Sequence, residues 1–213
     1  LFVPKSLVDQ YKENNIDVKG FSIRVSELSS FHWCKLFNVT ATDPLGIAIT
    51  RAVLYLKENK DLYDISDILN QIKLDKKSTQ DVKSSAENFL KNALSWGIFD
   101  KKGITINKFV NRGVITVLDI SQLPDSKLKD IVSSIIGKKI FEERVKSRKL
   151  HEQKKMGFKV EKEGIPMVWL AIDEAQLFLP DGKPTLGKEV FINQWMRQGR
   201  QPGLSLLMAT QRP

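Results

Sequence analysis

The sequence predicts an α/β protein built on an incomplete parallel sheet and interrupted by a helical insertion. Residues 167–172, MVWLAI, form an unbroken apolar run that ends in Asp173 and Glu174. A run of this kind, without alternation, suits a strand buried on both faces of a parallel sheet. A second run, 204–209, ends in Thr210, Gln211 and Arg212. Between them, 188–198 reads as a helix with apolar Val190, Phe191, Trp195 and Met196, followed by the breakers Gly199, Pro202 and Gly203. Strand, helix, strand in this spacing is a crossover unit, so both strands end on one edge of the sheet.

Upstream, LVDQYKENN reads as a short helix after Pro4, and FSIRV from Phe21 alternates as a short strand. The segment 31–37 is rich in aromatic residues. Asp43 and Pro44 signal a helix start, and Leu45, Ile49, Ala52, Val53 and Leu56 carry its apolar stripe to about Lys57. Residues 59–110 have a different texture. Asp64 opens a short helix that Asp67 or Ser66 can cap. A charged linker follows at 73–78, and then a longer helix over 80–96 with Val82, Ala86, Phe89, Leu90, Ala93 and Leu94 inward. WGIFDKKG ends that helix, and Ile104 begins a small strand or turn. This arrangement fits a helical insertion packed on the core, with a DNA-touching winged helix as the alternative. The core resumes with GVITVLDI over 113–120, read as a third strand with Asp119 near its carboxyl end. A helix from about Ser126 then carries Leu128, Ile131, Val132, Ile135, Ile136, Ile140 and Val145. The expected division is an N-terminal part of the core over 1–58, the insertion over 59–110, and a core over 111–213 that holds the two chemistry-bearing strands.

The edge where 167–172 and 204–209 end brings Asp173, Glu174 and Gln211 together. An acidic residue at the end of a buried strand holds the magnesium of a nucleoside triphosphate, usually through water. The next residue, Glu174, points differently and can polarise the attacking water as general base. Gln211 can hydrogen-bond that water or the γ-phosphate. The competing interpretation is a strand running into an acidic turn.

AIDEAQLFLP followed by RQGRQPGLSLLMATQRP resembles the HerA/FtsK superfamily of P-loop ATPases, the archaeal HerA-like branch most closely. The close match covers about the last fifty residues, and GVITVLDISQL with its long helix is similar more weakly. The resemblance implies a RecA-like fold and an ATPase that uses ATP and Mg2+. It also implies a DNA translocase or helicase that forms a ring, expected to be a hexamer on duplex DNA, with a nuclease as a further partner. It makes Asp173 and Glu174 the Walker B pair, with Asp173 the metal-holding residue, and Gln211 the sensor. Thr210 joins Asp173 on the nucleotide, and Arg200, or alternatively Arg197, acts across a subunit interface. Two other readings stand beside the motor: a nucleic-acid-binding or scaffold protein that has lost hydrolysis, and an ATPase of a secretion or conjugation pore.

The chain departs from that pattern in one respect. It contains no G-x-x-x-x-G-K-[ST] loop, and the nearest segment, Ile136 to Lys139, lies within a helical pattern. With Leu1 in place of Met, the chain reads as an internal piece of a longer protein, expected to be inactive alone. The net charge of +9 and a pI near 9.5 imply an anionic partner, nucleic acid ahead of membrane. The tract 138–162 holds ten Lys or Arg against four Glu. Lys138, Lys139, Lys146, Arg148, Lys149, Lys154 and Lys155 are its candidate phosphate contacts, against the alternative of a solvated helix end. The single Cys34 excludes an internal disulfide, and with His32 and His151 alone no zinc site can be built. Cys34, set among aromatics, reads as a buried thiol. No signal peptide or membrane-spanning run is present, so a cytoplasmic location is expected.

Overall fold

In the computed structural model the chain is mixed α/β with short, parallel strand pairs. The structure describes residues 1–160, 164–177, 179 and 185–211, with only the backbone at Asn107. It divides into two compact units, Leu1–Ile104 with Val117–Lys127, and Thr105–Thr116 with Leu128–Pro213. Helices from the 59–110 stretch thus group with the N-terminal residues.

In the first unit, β1 (Phe2–Pro4) pairs in parallel with β2 (Lys19–Phe21), and the helix α1 (Val8–Glu13) lies between them in sequence. β3 (Ile23–Arg24) pairs with β4 (Phe99–Asp100). The aromatic-rich segment is itself a helix, α2 (Ser30–Phe37), because Ser29 and His32 satisfy each other's backbone N–H groups at its start. Its Trp33 and Phe37 stack into a cluster with Phe99 and Phe89, at centroid distances of 5.3 and 5.0 Å. Cys34 is buried beside them, and burial first, then the charge of Asp43, pushes its thiol pKa up. α3 (Pro44–Asn59) starts at the expected proline, and α4 (Ile65–Leu74) and α5 (Gln80–Ser95) pack on it. The cap of α4 is Asp64 rather than Asp67 or Ser66. Asp67 sits three residues on and reciprocates, with N–H to carboxylate distances of 3.0 Å in both directions.

The expected strand over 113–120 does not form. Only Phe2 and Leu118 make a bridge, supported by the Phe2 and Asp119 amides. β1 is three residues long and ends in Pro4, which has no N–H to extend a ladder. Ile115 in that run is 93% exposed.

The second unit is organised by α6 (Ser126–Lys155), thirty residues long, and by β5 (Val168–Ile172) and β6 (Leu204–Met208). The two strands are parallel and pair from Val168↔Leu204 to Ile172↔Met208. They are connected by a helical segment that is π-helical over Lys188–Met196. Asp130, buried on α6, starts that segment by accepting from the Gly187 amide at 2.7 Å and the Leu186 amide at 3.3 Å. Gly137 lets the π-helix come close. A Cβ there would stand 2.7 Å from the Phe191 ring, and the Trp195 indole donates to the Gly137 carbonyl at 3.0 Å. The glycine in the segment from Ile136 to Lys139 is thus a packing position within α6.

β5 is not buried on both faces as expected. Val168, Leu170 and Ile172 are half-buried, but Trp169 is 81% exposed and Met167 76%. Residues paired across a parallel ladder share a face, so Trp169 and Ala171 stand with Ser205 and Leu207 on the open side. The sheet carries two strands among the described residues, and the helical connection packs against β6. Among the described residues no helix is long and apolar enough to cross a membrane.

Candidate functional site

The carboxyl ends of β5 and β6 hold the predicted residues next to each other. Two backbone bonds cross there: Ala209 N–H to the Ile172 carbonyl, and Ala175 N–H to the Ala209 carbonyl, both at 2.9 Å. They splice the turn after β5 onto the end of β6. Glu174 occupies that turn in a left-handed conformation, φ 51°, which an L residue adopts at a cost of roughly 1 kcal/mol. Its amide donates to the Asp173 carboxylate at 2.9 Å, leaving that exposed side chain at the rim.

This turn sends the Glu174 carboxylate across to the neighbouring strand. One oxygen accepts from the Gln211 amide at 2.5 Å, and the other accepts from the Gln176 amide. Gln176 in turn accepts from the Thr210 hydroxyl at 2.8 Å. Glu174, Gln176, Thr210 and Gln211 therefore form one hydrogen-bonded chain that ties the two strand ends together. Gln176 was missed in the sequence. Its signal lay in the spacing: two residues after Glu174, on the 3-10 turn Ala175–Leu177, it is placed to face back at the carboxylate.

Asp173 and Glu174 fit a magnesium ion only in one manner. Among the described residues no group of three or more acidic, His or Cys side chains could cage a metal. Glu174 is engaged by two amides, so a cation here would rest on Asp173 and on phosphate oxygens brought by a ligand, the usual division for magnesium.

The arginines lie elsewhere. Arg197 follows the π-helix, and Arg200 sits in the turn before β6, at the amino end of that strand. β6 is five residues long, which separates Arg200 from Gln211 by roughly 15 Å. The structure brings Asp173, Glu174, Thr210 and Gln211 together and leaves Arg197 and Arg200 at the opposite end of the ribbon.

The candidate phosphate contacts Lys138, Lys139, Lys146, Arg148, Lys149, Lys154 and Lys155 all lie on α6. Lys146 meets Glu143 at 2.7 Å, Arg148 meets Glu152 at 2.7 Å, and Lys138 is 4.0 Å from Glu142, all pairs along the same helix. Lys162, at the end of the tract, and Arg212, Pro213, Phe178 and Pro180 of the quoted motifs lie outside the described residues. One cation of the tract, Arg144, is buried and structural. It donates to the Pro202 carbonyl through Nε at 2.8 Å and through Nη2 at 2.5 Å, and to the Ile165 carbonyl through Nη1. Arg144 thereby joins the entrance of β5 to the entrance of β6. Burial, and then the charge of Arg148, pull its pKa down.

No family model matches the chain, and no curated protein matches it significantly.

Proposed function

We propose that this chain supplies the hydrolytic strand ends of a RecA-like, magnesium-dependent ATPase of the HerA type, a ring-forming motor on duplex DNA. The observation that carries the reading is the bond between Glu174 and Gln211 across the ends of two parallel strands. Open α/β sheets bind ligands along that edge. A carboxylate and an amide held there can share one water, the carboxylate taking its proton while the amide orients it.

Asp173 is the exposed partner; one carboxylate oxygen accepts from the Glu174 amide, and the other can meet a hydrated cation beside the phosphates. Glu174 is held out of the way by Gln176 and Gln211 until a ligand competes for those amides. The sequence motifs supply the second support, since AIDEAQ and ATQRP carry the same residue types in the same order as the family they resemble. The phosphate-cradling loop that such a site needs is not among these residues. The net charge of +9 agrees with a polyanionic substrate.

The test is steady-state ATP turnover of the full-length protein. Glu174→Gln keeps the shape and can still accept one of the two amide bonds but removes the base, so turnover is expected to fall by about two to four orders of magnitude with nucleotide binding retained. Turnover within a few-fold of wild type excludes Glu174 as the base. A full-length protein that binds nucleic acid but shows no turnover before any substitution favours the scaffold reading.

A further inference from the structure

We propose that the open cavity of about 640 Å³ lined by Arg148, Arg197, Gln198, Arg200 and Gln201 is a phosphate-binding site. The proposal stands on the cavity's own chemistry and does not depend on hydrolysis at the strand ends.

Three guanidinium groups from two separate elements line this space, and among the described residues no carboxylate lines it, although Arg148 also meets Glu152 along α6 at 2.7 Å. Arg148 comes from α6, while Arg197 and Arg200 come from the helix end and the turn before β6. The side chains of Arg197 and Arg200 have no ion-pair or hydrogen-bond partner among the described residues. The dipole at a helix end explains one cation there, but not a third brought in by another helix. Arg144, one turn before Arg148, adds a further positive charge beneath the turn and pins it through the Pro202 carbonyl. Arg200 and Gln201 thus project from a fixed turn rather than a free loop.

Holding several cations together is unfavourable unless an anion joins them. A carboxylate presents two oxygens in one plane, enough for one or two guanidinium forks. A phosphate presents oxygens on several sides and can accept from three arginines that approach from different directions. Openness to solvent suits a group on a larger ligand. Such a phosphate has two sources, the backbone of a polynucleotide or a free nucleotide. Arg148 shares α6 with the other cations of the 138–162 tract, with Lys155 two turns further on its own side, which favours the polynucleotide.

The experiment measures binding of a fluorescein-labelled 20-base-pair duplex by anisotropy, with inorganic tripolyphosphate as competitor, across a salt series. Arg148→Gln and Arg197→Gln are each expected to weaken duplex binding about tenfold and to reduce the salt slope by about one unit. Because both residues grip one phosphate, the double variant should be no more than about threefold weaker than the worse single variant. Lys91→Gln, an exposed lysine of the first unit, should leave affinity and slope as they are. Circular dichroism and thermal melting establish that the variants are folded, and Arg148 is exposed, so its substitution leaves the core intact. Losses confined to tripolyphosphate keep the site and assign it to a nucleotide. Unchanged binding of both probes in folded variants overturns the proposal, and so do losses that multiply in the double variant.

Discussion

Tyr63 shows how a single polar atom can tune the helical unit. Its ring is fully buried, and its hydroxyl has no hydrogen-bond partner among the described residues. A buried hydroxyl without a partner costs about 1–3 kcal/mol relative to a matched one. Burial also pushes its pKa up to about 12 from an ordinary value of 10. The raised value means that the folded state resists ionisation while the unfolded state does not. Ionisation therefore adds no penalty below pH 10, and the stability of the unit falls as pH rises from 10 towards about 12. Tyr63→Phe removes the unmatched hydroxyl and keeps the ring. We expect it to stabilise the unit by about 1 kcal/mol at neutral pH, and by more above pH 10. Thermal melts at pH 7 and pH 11 check this. A variant less stable than wild type at both values would show that the hydroxyl has a water or protein partner.

At the scale of elements, the contact between α6 and the π-helix turns on Gly137. Alanine there gains about 1 kcal/mol of helix propensity, but its Cβ would press on the Phe191 ring at 2.7 Å and on Val190 at 3.1 Å. Phe191 is 1% exposed and packed edge-on against Trp195, so overpacking at a cost of about 1–3 kcal/mol outweighs the gain. Gly137→Ala should lower stability by roughly 1 kcal/mol and perturb the fluorescence of Trp195, whose indole bonds the Gly137 carbonyl. Equal or higher stability in urea unfolding would mean that the two helices are not packed this closely.

The elements that were legible in the sequence are those whose pattern is local. The stripe from Leu45 to Leu56 and the one from Leu128 to Ile140 gave their helices, and the runs ending in Asp173 and Thr210 gave β5 and β6. The juxtaposition of Asp173, Glu174, Thr210 and Gln211 was legible to the same extent, because strand ends follow from strand pairing, whereas the distance of Arg197 and Arg200 from them was not. What could not be read depends on partners distant in sequence. An apolar run such as 113–120 looks the same whether a neighbour pairs with it or not. Likewise, β5 reads as doubly buried although Trp169 is exposed. Asp130 and Arg144 sit in a long helix as ordinary charges, and only the folded chain shows them capping one segment and clamping another. Arg148 was grouped with surface lysines, whereas folding sets it beside Arg197 and Arg200.

For the whole molecule, the position of Arg200 decides how the proposed hydrolysis has to be organised if this residue takes part. Glu174 and Gln211 lie at the carboxyl end of the β5–β6 ribbon, and Arg200 enters at its amino end, roughly 15 Å away. A guanidinium cannot span that distance to a γ-phosphate held beside its own Glu174. Any action of Arg200 on that phosphate must therefore come from another subunit, through a head-to-tail interface of the kind that closes rings. Such an arginine is commonly worth several orders of magnitude in rate. The consequence is tested by mixing two inactive full-length variants, Arg200→Ala and Glu174→Gln. An interface is competent when the subunit bearing the nucleotide has its base and the neighbour has its arginine. In a random one-to-one mixture, about one quarter of the interfaces of a head-to-tail ring meet both conditions. ATP turnover should therefore return towards about a quarter of the wild-type rate, with each variant alone expected to be inactive. If mixed rings form and turnover stays at the level of the separate variants, Arg200 has no role in trans. Its charge then belongs to the arginine-lined cavity alone.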